Sequence, residues 1–119
     1  MIERLPRLLL HAEGLAVAAA AVTLYFHEGY AWWLLLLLGL APDLSMIGYA
    51  AGPRAGALAY DLAHTYVLPV ALAATGVIAD SDTPLKLALI WLAHIGVDRG
   101  VGYGLKYPSG FKDTHLQRV

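Results

Sequence analysis

The sequence has no cysteine and few charged residues, and both shortages narrow what the chain can be. Only 14% of the 119 residues are charged, whereas 59% are hydrophobic and the mean hydropathy is +0.60. A soluble domain carries about 25% charged residues. The lack of cysteine excludes disulfides and thiolate metal ligands. A net charge of −1 argues against nucleic-acid binding. The chain also lacks a P-loop and a dinucleotide-binding glycine motif.

Long apolar stretches take the place of these features. A membrane-spanning helix needs roughly 20 mostly apolar residues. Four stretches qualify, at residues 5–26, 31–51, 56–79 and 84–104, and turn-like sequences rich in glycine, proline and aspartate separate them. We therefore predict an all-α polytopic membrane protein. Residues 1–104 would form a transmembrane four-helix bundle, and residues 105–119 a cytoplasmic tail at the membrane interface.

Basic residues near the ends of these stretches gather on one side of the predicted membrane. They lie at the start of the first span, after the second and after the fourth: Arg4, Arg7, Arg54, Lys106, Lys112 and Arg118. Cytoplasmic loops carry the excess of lysine and arginine in membrane proteins. Both termini are therefore predicted to be cytoplasmic. The basic, amphipathic tail would contact membrane lipids, or else be disordered.

Ionisable side chains inside the spans are the main functional signal. Such residues are costly in a bilayer and usually mark a functional site. They are Glu13, Asp43, Asp61, His64, His94, Asp98 and Arg99, with His11 nearby. At 1.5 Å per helical residue, Glu13, Asp43, His64 and His94 share a depth of roughly 12 to 15 Å from the cytoplasmic ends. His11 points away from Glu13 on an ideal helix and is given less weight.

The spacing of these residues resembles that of metal-binding helix bundles. Asp61 and His64 share one helix face, as do His94 and Asp98. Single carboxylates from two helices, with a carboxylate–histidine pair from each of the other two, are typical of di-metal bundles. We predict a divalent metal, zinc, manganese or iron, bound by this set: Asp43, Asp61, His64, His94 and Asp98. Glu13 would be a further ligand or the general base. Arg99 or Lys106 would hold an anionic substrate group.

Pro42 lies in the middle of the second predicted span, directly before Asp43. A proline there removes one backbone hydrogen bond and frees a carbonyl one turn earlier. The resulting kink could open space for substrate or water, or it could be an ordinary proline of a membrane helix. Pro69 in the third predicted span allows the same two interpretations.

The polar cluster and a glycine pattern in the fourth predicted span each have competing interpretations. The polar cluster predicts a metal-dependent hydrolase acting on a lipid-like or membrane-associated substrate. A metal-free network in a structural protein, or a proton or divalent-ion path in a carrier or channel subunit, would use the same residues. Gly96, Gly100 and Gly104 form a small-xxx-small pattern. It would serve either packing inside the bundle or a homodimer.

Several motifs resemble a known family when taken in order. They are the strings Pro42–Tyr49, Asp61–Tyr66, His94–Arg99, Gly102–Tyr107 and Thr114–Leu116. They resemble an uncharacterised family of small bacterial four-span membrane proteins, known as domain-of-unknown-function family 4260. The resemblance covers nearly the whole chain. It implies a multi-pass protein of the bacterial cytoplasmic (inner) membrane and supplies no activity.

A second, weaker resemblance concerns activity. The order Pro-Asp, His-Thr and His-x-x-x-Asp is similar to bacterial inner-membrane metal-dependent hydrolases. That resemblance implies metal ligation by Asp43, His64, His94 and Asp98. The chain departs from the hydrolase pattern at Ser45, which replaces a second acid. It departs again at Asp61, which stands in place of a His-Arg pair.

Overall fold

A computed structural model describes residues 4–108 and 110–118, and most of this chain is helical. The helices are α1 (Leu5–His27), α2 (Trp32–Leu38), a 3-10 helix (Ala41–Ala51), α3 (Pro53–His64), α4 (Val67–Ile78), α5 (Asp82–Val101) and α6 (His115–Arg118). Two short strands, β1 (Lys106–Tyr107) and β2 (Gly110–Thr114), pair as an antiparallel hairpin. The predicted all-α class is confirmed, with this small hairpin added.

Pro42 divides the second predicted helix. The proline has no N–H to donate to the carbonyl of Leu38, and its ring would clash with that carbonyl in a continuous α-helix. Accordingly α2 ends at Leu38, and the chain continues as a 3-10 helix in which the Asp43 N–H donates to the Leu40 carbonyl (3.1 Å). Runs of 3-10 helix longer than a few residues are uncommon and often mark strain or function. This run has 11 residues.

Pro69 divides the third predicted helix in the same way. It cannot donate to the carbonyl of Thr65, four residues earlier. Thr65 is extended, with φ −94° and ψ 149°, so α3 ends at His64 and α4 begins at Val67. The predicted span over 56–79 therefore consists of two helices, and Pro69 interrupts it as one of its two interpretations had it. His64 consequently lies at the end of α3, where the last carbonyls have no partner within the helix.

Close packing of α1 against α5 forms the centre of the molecule. The two helices run antiparallel, with His11 near Gly100 and Tyr25 in one core cluster with Leu89. A Cβ added at Gly96 would lie 2.5 Å from the carbonyl oxygen of Gly14.

The predicted glycine face of α5 thus lies against α1 inside the protomer. Gly96 meets Gly14 and Ala18, while Gly100 meets Leu15. Gly104, beyond the helix, lies against His115 of the tail. The homodimer through Gly96, Gly100 and Gly104 stays a prediction, and it would require these contacts to open.

The tail folds back onto the bundle. Lys106, Thr114 and Leu116 are buried, and the hairpin packs against α3. A hydrogen bond from the Arg7 guanidinium to the Gln117 carbonyl (3.1 Å) joins the start of α1 to α6. Both ends of the described chain therefore lie at the same end of the bundle.

Within the described part of the chain, three stretches are long and apolar enough to cross a membrane: Leu5–His27, Trp32–Ala51 and Pro53–Ile78. Helix α5 has 20 residues but also contains charged side chains, namely Asp82, Lys86, Asp98 and Arg99. Many large apolar side chains point outward, including Ile47 (72% exposed) and Ile78 (86% exposed). Such a surface suits lipid better than water. The number of crossings and their orientation stay predictions.

Candidate metal centre

Side chains from three helices converge in the middle of the bundle. Asp43 comes from the 3-10 helix, His64 from the last residue of α3, and His94 and Asp98 from successive turns of α5. One potential ligand atom from each residue lies within 4.8 Å of all the others. The two histidine Nε2 atoms are 3.1 Å apart. Asp43 Oδ1 lies 3.1 Å from each of them, and Asp98 Oδ2 lies 3.4 Å from His64 and 3.2 Å from His94.

The second ring nitrogen of each imidazole, Nδ1, forms a hydrogen bond with a backbone carbonyl oxygen. His64 Nδ1 lies 2.8 Å from the Tyr60 oxygen, and His94 Nδ1 lies 2.5 Å from the Gly39 oxygen. A carbonyl oxygen can only accept a hydrogen bond, so both Nδ1 atoms carry the proton. In the neutral rings both Nε2 atoms are therefore acceptors. Metal-binding histidines typically donate their other N–H in this way.

The winding of the chain explains why Gly39 offers its carbonyl to His94. In an α-helix the Gly39 oxygen would accept from the N–H of Asp43. The 3-10 helix directs that N–H to Leu40 instead, which leaves the Gly39 oxygen for the imidazole. Pro42 thus affects the site through the backbone.

The His64 ring is fixed on a second side by Tyr60. The two rings stack with centroids 3.7 Å apart and planes 7° from parallel. His64 is fully buried, and its own carbonyl, at the end of α3, accepts from the Arg99 guanidinium (3.0 Å). The imidazole is therefore held at its ring face, at Nδ1 and through its backbone.

The separations suit a single cation. Neighbouring ligands of a metal bound at typical N and O distances lie about 3.0 to 3.4 Å apart in octahedral or tetrahedral geometry. Five of the measured separations fall between 3.1 and 3.4 Å. Four acceptor atoms facing one another would repel without a cation or protons between them. Two carboxylates would balance the charge of a divalent ion.

A cavity of about 320 Å³ reaches the cluster from the carboxylate side. Its lining comprises Asp43, Met46, Tyr60, Asp98, Tyr103 and Lys106. The side chains of Asp43 and Asp98 are 37% and 17% exposed, whereas those of His64 and His94 are 0% and 6% exposed. The histidines form the closed wall of the site, and the carboxylates face the open side.

Asp61, a predicted ligand, lies outside this cluster. Its Oδ1 accepts the backbone N–H of Lys106 at 2.6 Å, which turns the carboxylate toward the tail. Spacing alone put it on the same helix face as His64. The sequence could not show that β1 would return to α3 and bind this carboxylate.

Glu13 also lies outside the cluster. It is exposed on α1, whose inner face is formed by small residues such as Gly14 and Ala18. Neither the cluster nor the cavity beside it includes Glu13. Its predicted role as ligand or base therefore gains no support from the geometry.

The two predicted substrate-binding cations differ in position. Arg99 is buried and donates to the carbonyls of His64 and Tyr103, so it supports the site from behind. Lys106 lines the cavity, with its ammonium 4.4 Å from the centre of the Tyr60 ring. Burial lowers the pKa of Lys106 from its usual range.

Two contributors were not predicted as site residues, the Gly39 carbonyl and the Tyr60 ring. A signal for Gly39 was present, since a proline frees a carbonyl about one turn earlier. Tyr60 lies one helical turn before His64, where side chains are neighbours. The chain has seven tyrosines, so this spacing alone did not single out Tyr60 as a site residue.

Comparisons with known proteins give a family and no activity. Neither a curated protein nor a solved structure matches the chain. The family model for a domain of unknown function (DUF4260) matches residues 7–119, and the protein therefore belongs to that family.

Proposed function

We propose that this protein is a membrane metalloprotein in which Asp43, His64, His94 and Asp98 bind one divalent ion. The observation that carries the proposal is the convergence of four acceptor atoms at metal-ligand separations. Mixed nitrogen and oxygen donors suit zinc, manganese or iron.

The activity we propose is hydrolysis of a membrane-associated substrate. A divalent ion supplies a Lewis acid and activates water for attack on an ester. Asp43 and Asp98 are the ligands that border the cavity, so their carboxylate oxygens are placed to receive the proton of that water. Lys106, on the same cavity, would hold a negatively charged group of the substrate.

The membrane setting we propose has four crossings with both termini on the cytoplasmic side. Three stretches have the length and apolar character, and α5, which is antiparallel to α1, would be the fourth. The bond between Arg7 and Gln117 supports an even number of crossings. The family resemblance supports a bacterial cytoplasmic membrane.

The first test is the metal content of detergent-purified protein, measured by elemental mass spectrometry. We expect about one equivalent per chain in the unaltered protein, because one cluster with four ligands holds one ion. His94→Ala should lose it, since one of two nitrogen donors disappears. Asp61→Asn is the matched control. It removes a carboxylate of the predicted span that carries His64, keeps an oxygen for the Lys106 N–H, and should retain the metal.

Two results would contradict the proposal. A well-folded protein without metal, even after incubation with zinc, manganese or iron, would exclude the metal centre. Loss of metal in Asp61→Asn together with retention in His94→Ala would mean that the ion lies elsewhere.

The hydrolase activity has its own test. Release of product from ester or phosphoester lipids by the metal-loaded protein, absent in His94→Ala, would identify the protein as a hydrolase.

A proton or ion carrier is the alternative that the same cluster favours. Two protons, one on each Nε2, would also join the histidines to the two carboxylates. A proton carrier of this kind would hold no metal and would conduct protons in proteoliposomes, whereas a divalent-ion carrier would bind metal and produce metal flux there. A structural role would leave both metal content and ion flux at background, and Asp98→Asn would then lower only thermal stability.

A further inference from the structure

A second and larger cavity lies at the end of the bundle where the termini meet. It has a volume of about 780 Å³ and lies between the start of α1, the end of α5 and the tail. Among the residues that the structure describes, four basic side chains line it, Arg7, His11, Lys106 and Lys112, together with Asp113 as an acidic member. This basic cleft is distinct from the metal cluster, none of whose ligands line it.

The charge of the basic cleft is positive. Arg7, Lys106 and Lys112 contribute three cations. The carboxylate of Asp113 is joined to the Arg118 guanidinium through two hydrogen bonds of 3.0 and 2.6 Å. Clefts lined by one sign of charge concentrate ligands of the opposite sign.

Two helix ends of opposite polarity meet at the basic cleft. Arg7 lies in the first turn of α1, at the positive end of that helix. The opposing negative end of α5 is covered. Its carbonyls at Asp98 and Arg99 accept from Tyr103 and Gly102, and His11 Nδ1 lies 3.1 Å from the Gly100 oxygen.

The basic cleft and the cavity of the metal cluster share a boundary. Tyr103 and Lys106 line both. A group bound in the cleft would therefore lie next to the open side of the candidate metal centre.

An apolar cavity lies between the chain around Pro42 and helices α4 and α5. It has a volume of about 330 Å³, and its lining includes Pro42, Leu72, Ile90 and Trp91. One of its lining residues, Pro42, directly precedes Asp43 of the metal cluster in the chain. Apolar space together with a cationic cleft suits a molecule that is oily at one end and negatively charged at the other.

We propose that the basic cleft binds the phosphate group of an anionic lipid. If the protein is the proposed hydrolase, this lipid is its substrate class, and only that part of the inference rests on the proposed function. Binding itself requires Arg7 and Lys112, which are not metal ligands, so it can be tested separately from metal retention.

The test measures binding to the full-length protein in detergent by isothermal titration calorimetry. The probe is a short-chain phosphonate analogue of phosphatidic acid, whose P–C bond resists hydrolysis. Methylphosphonate carries the same anion without acyl chains, and dihexanoylglycerol carries chains without the anion. We expect saturable binding of the lipid phosphonate and none of dihexanoylglycerol. Loss of one surface cation should weaken binding by about fivefold, in Lys112→Gln and likewise in Arg7→Gln.

Arg54→Gln is the matched control, because it removes an exposed cation at the start of α3 that does not line the cleft. Binding of methylphosphonate with equal affinity and the same sensitivity to Lys112→Gln would support the site with a soluble phosphate as ligand. The absence of saturable phosphonate binding would overturn the proposal, as would an equal loss in Arg54→Gln. Metal content of the same samples keeps this failure separate, since a protein that holds metal without binding phosphonate retains the metal centre.

Discussion

Replacing Pro42 by alanine tests whether the backbone break creates the histidine site. The substitution restores an N–H at residue 42 and allows α2 to continue through Asp43. In that continuous helix the Asp43 N–H would donate to the Gly39 oxygen, which now accepts from His94 Nδ1. The Gly39 carbonyl would then be directed along the helix axis toward the Asp43 N–H instead of toward His94 Nδ1.

The energies favour the helix. Alanine is better than proline in a helix interior by about 3 kcal/mol. A single hydrogen bond contributes about 0.5 to 1.5 kcal/mol net. We therefore expect His94 to lose its carbonyl partner while the protein stays folded. Removing such a partner of a ligating histidine typically weakens metal binding by about 10- to 100-fold.

A competition titration against a chromophoric chelator measures this change as the dissociation constant for zinc. Pro84→Ala is the control, since Pro84 lies in the first turn of α5, where a missing N–H costs nothing. Circular dichroism should show that Pro42→Ala is folded. If that folded variant binds zinc as tightly as the unaltered protein, the argument that the 3-10 helix orients His94 is refuted.

Two further predictions concern packing and pH. Gly96→Ala should lower the free energy of unfolding by about 1 to 3 kcal/mol, because its Cβ would lie 2.5 Å from the Gly14 oxygen. Val97→Ala, at an exposed neighbouring position, should leave thermal unfolding nearly unchanged. Equal effects of the two substitutions would contradict the close packing of α1 and α5. Burial and the nearby Arg99 charge lower the pKa of His115, whose Nδ1 accepts the Leu105 N–H at 2.8 Å. The folded pKa lies below the usual value of about 6.5, so this stabilisation is present above that pH and is lost as pH falls through the folded pKa. Amide hydrogen exchange in the hairpin should then accelerate in acid beyond the intrinsic rate, except in His115→Gln, whereas the same profile in both proteins would contradict this role.

The sequence predicted the helical class and the site through hydropathy and spacing. Apolar length located α1, and the spacing of His94 and Asp98 put both on one face of α5. These properties depend on residues close together in the chain. Helix ends were less accurate, since a proline interrupts a helix only where its missing N–H and ring meet a specific carbonyl.

Asp61 shows what local spacing cannot decide. Asp61 and His64 are neighbours on α3 just as His94 and Asp98 are on α5. Both members of the second pair join the cluster, whereas of the first pair only His64 does. The difference comes from β1, whose Lys106 N–H reaches Asp61 from 45 positions along the chain. The basic cleft could not be predicted for the same reason, because it forms only when the tail folds against α1 and α5.

The two proline breaks support both histidines through backbone groups that a continuous helix would use internally. Pro42 leaves the Gly39 oxygen for His94. Pro69 ends α3 at His64, and the carbonyl of that residue accepts from Arg99, which adjoins Asp98 in the chain. A bundle of four uninterrupted helices would offer none of these acceptors at this depth. Prolines are tolerated in membrane helices when other groups satisfy the freed carbonyls. Here those groups are the His94 imidazole, which belongs to the site, and the Arg99 guanidinium, which supports it. The two helix breaks are therefore part of the construction of the site.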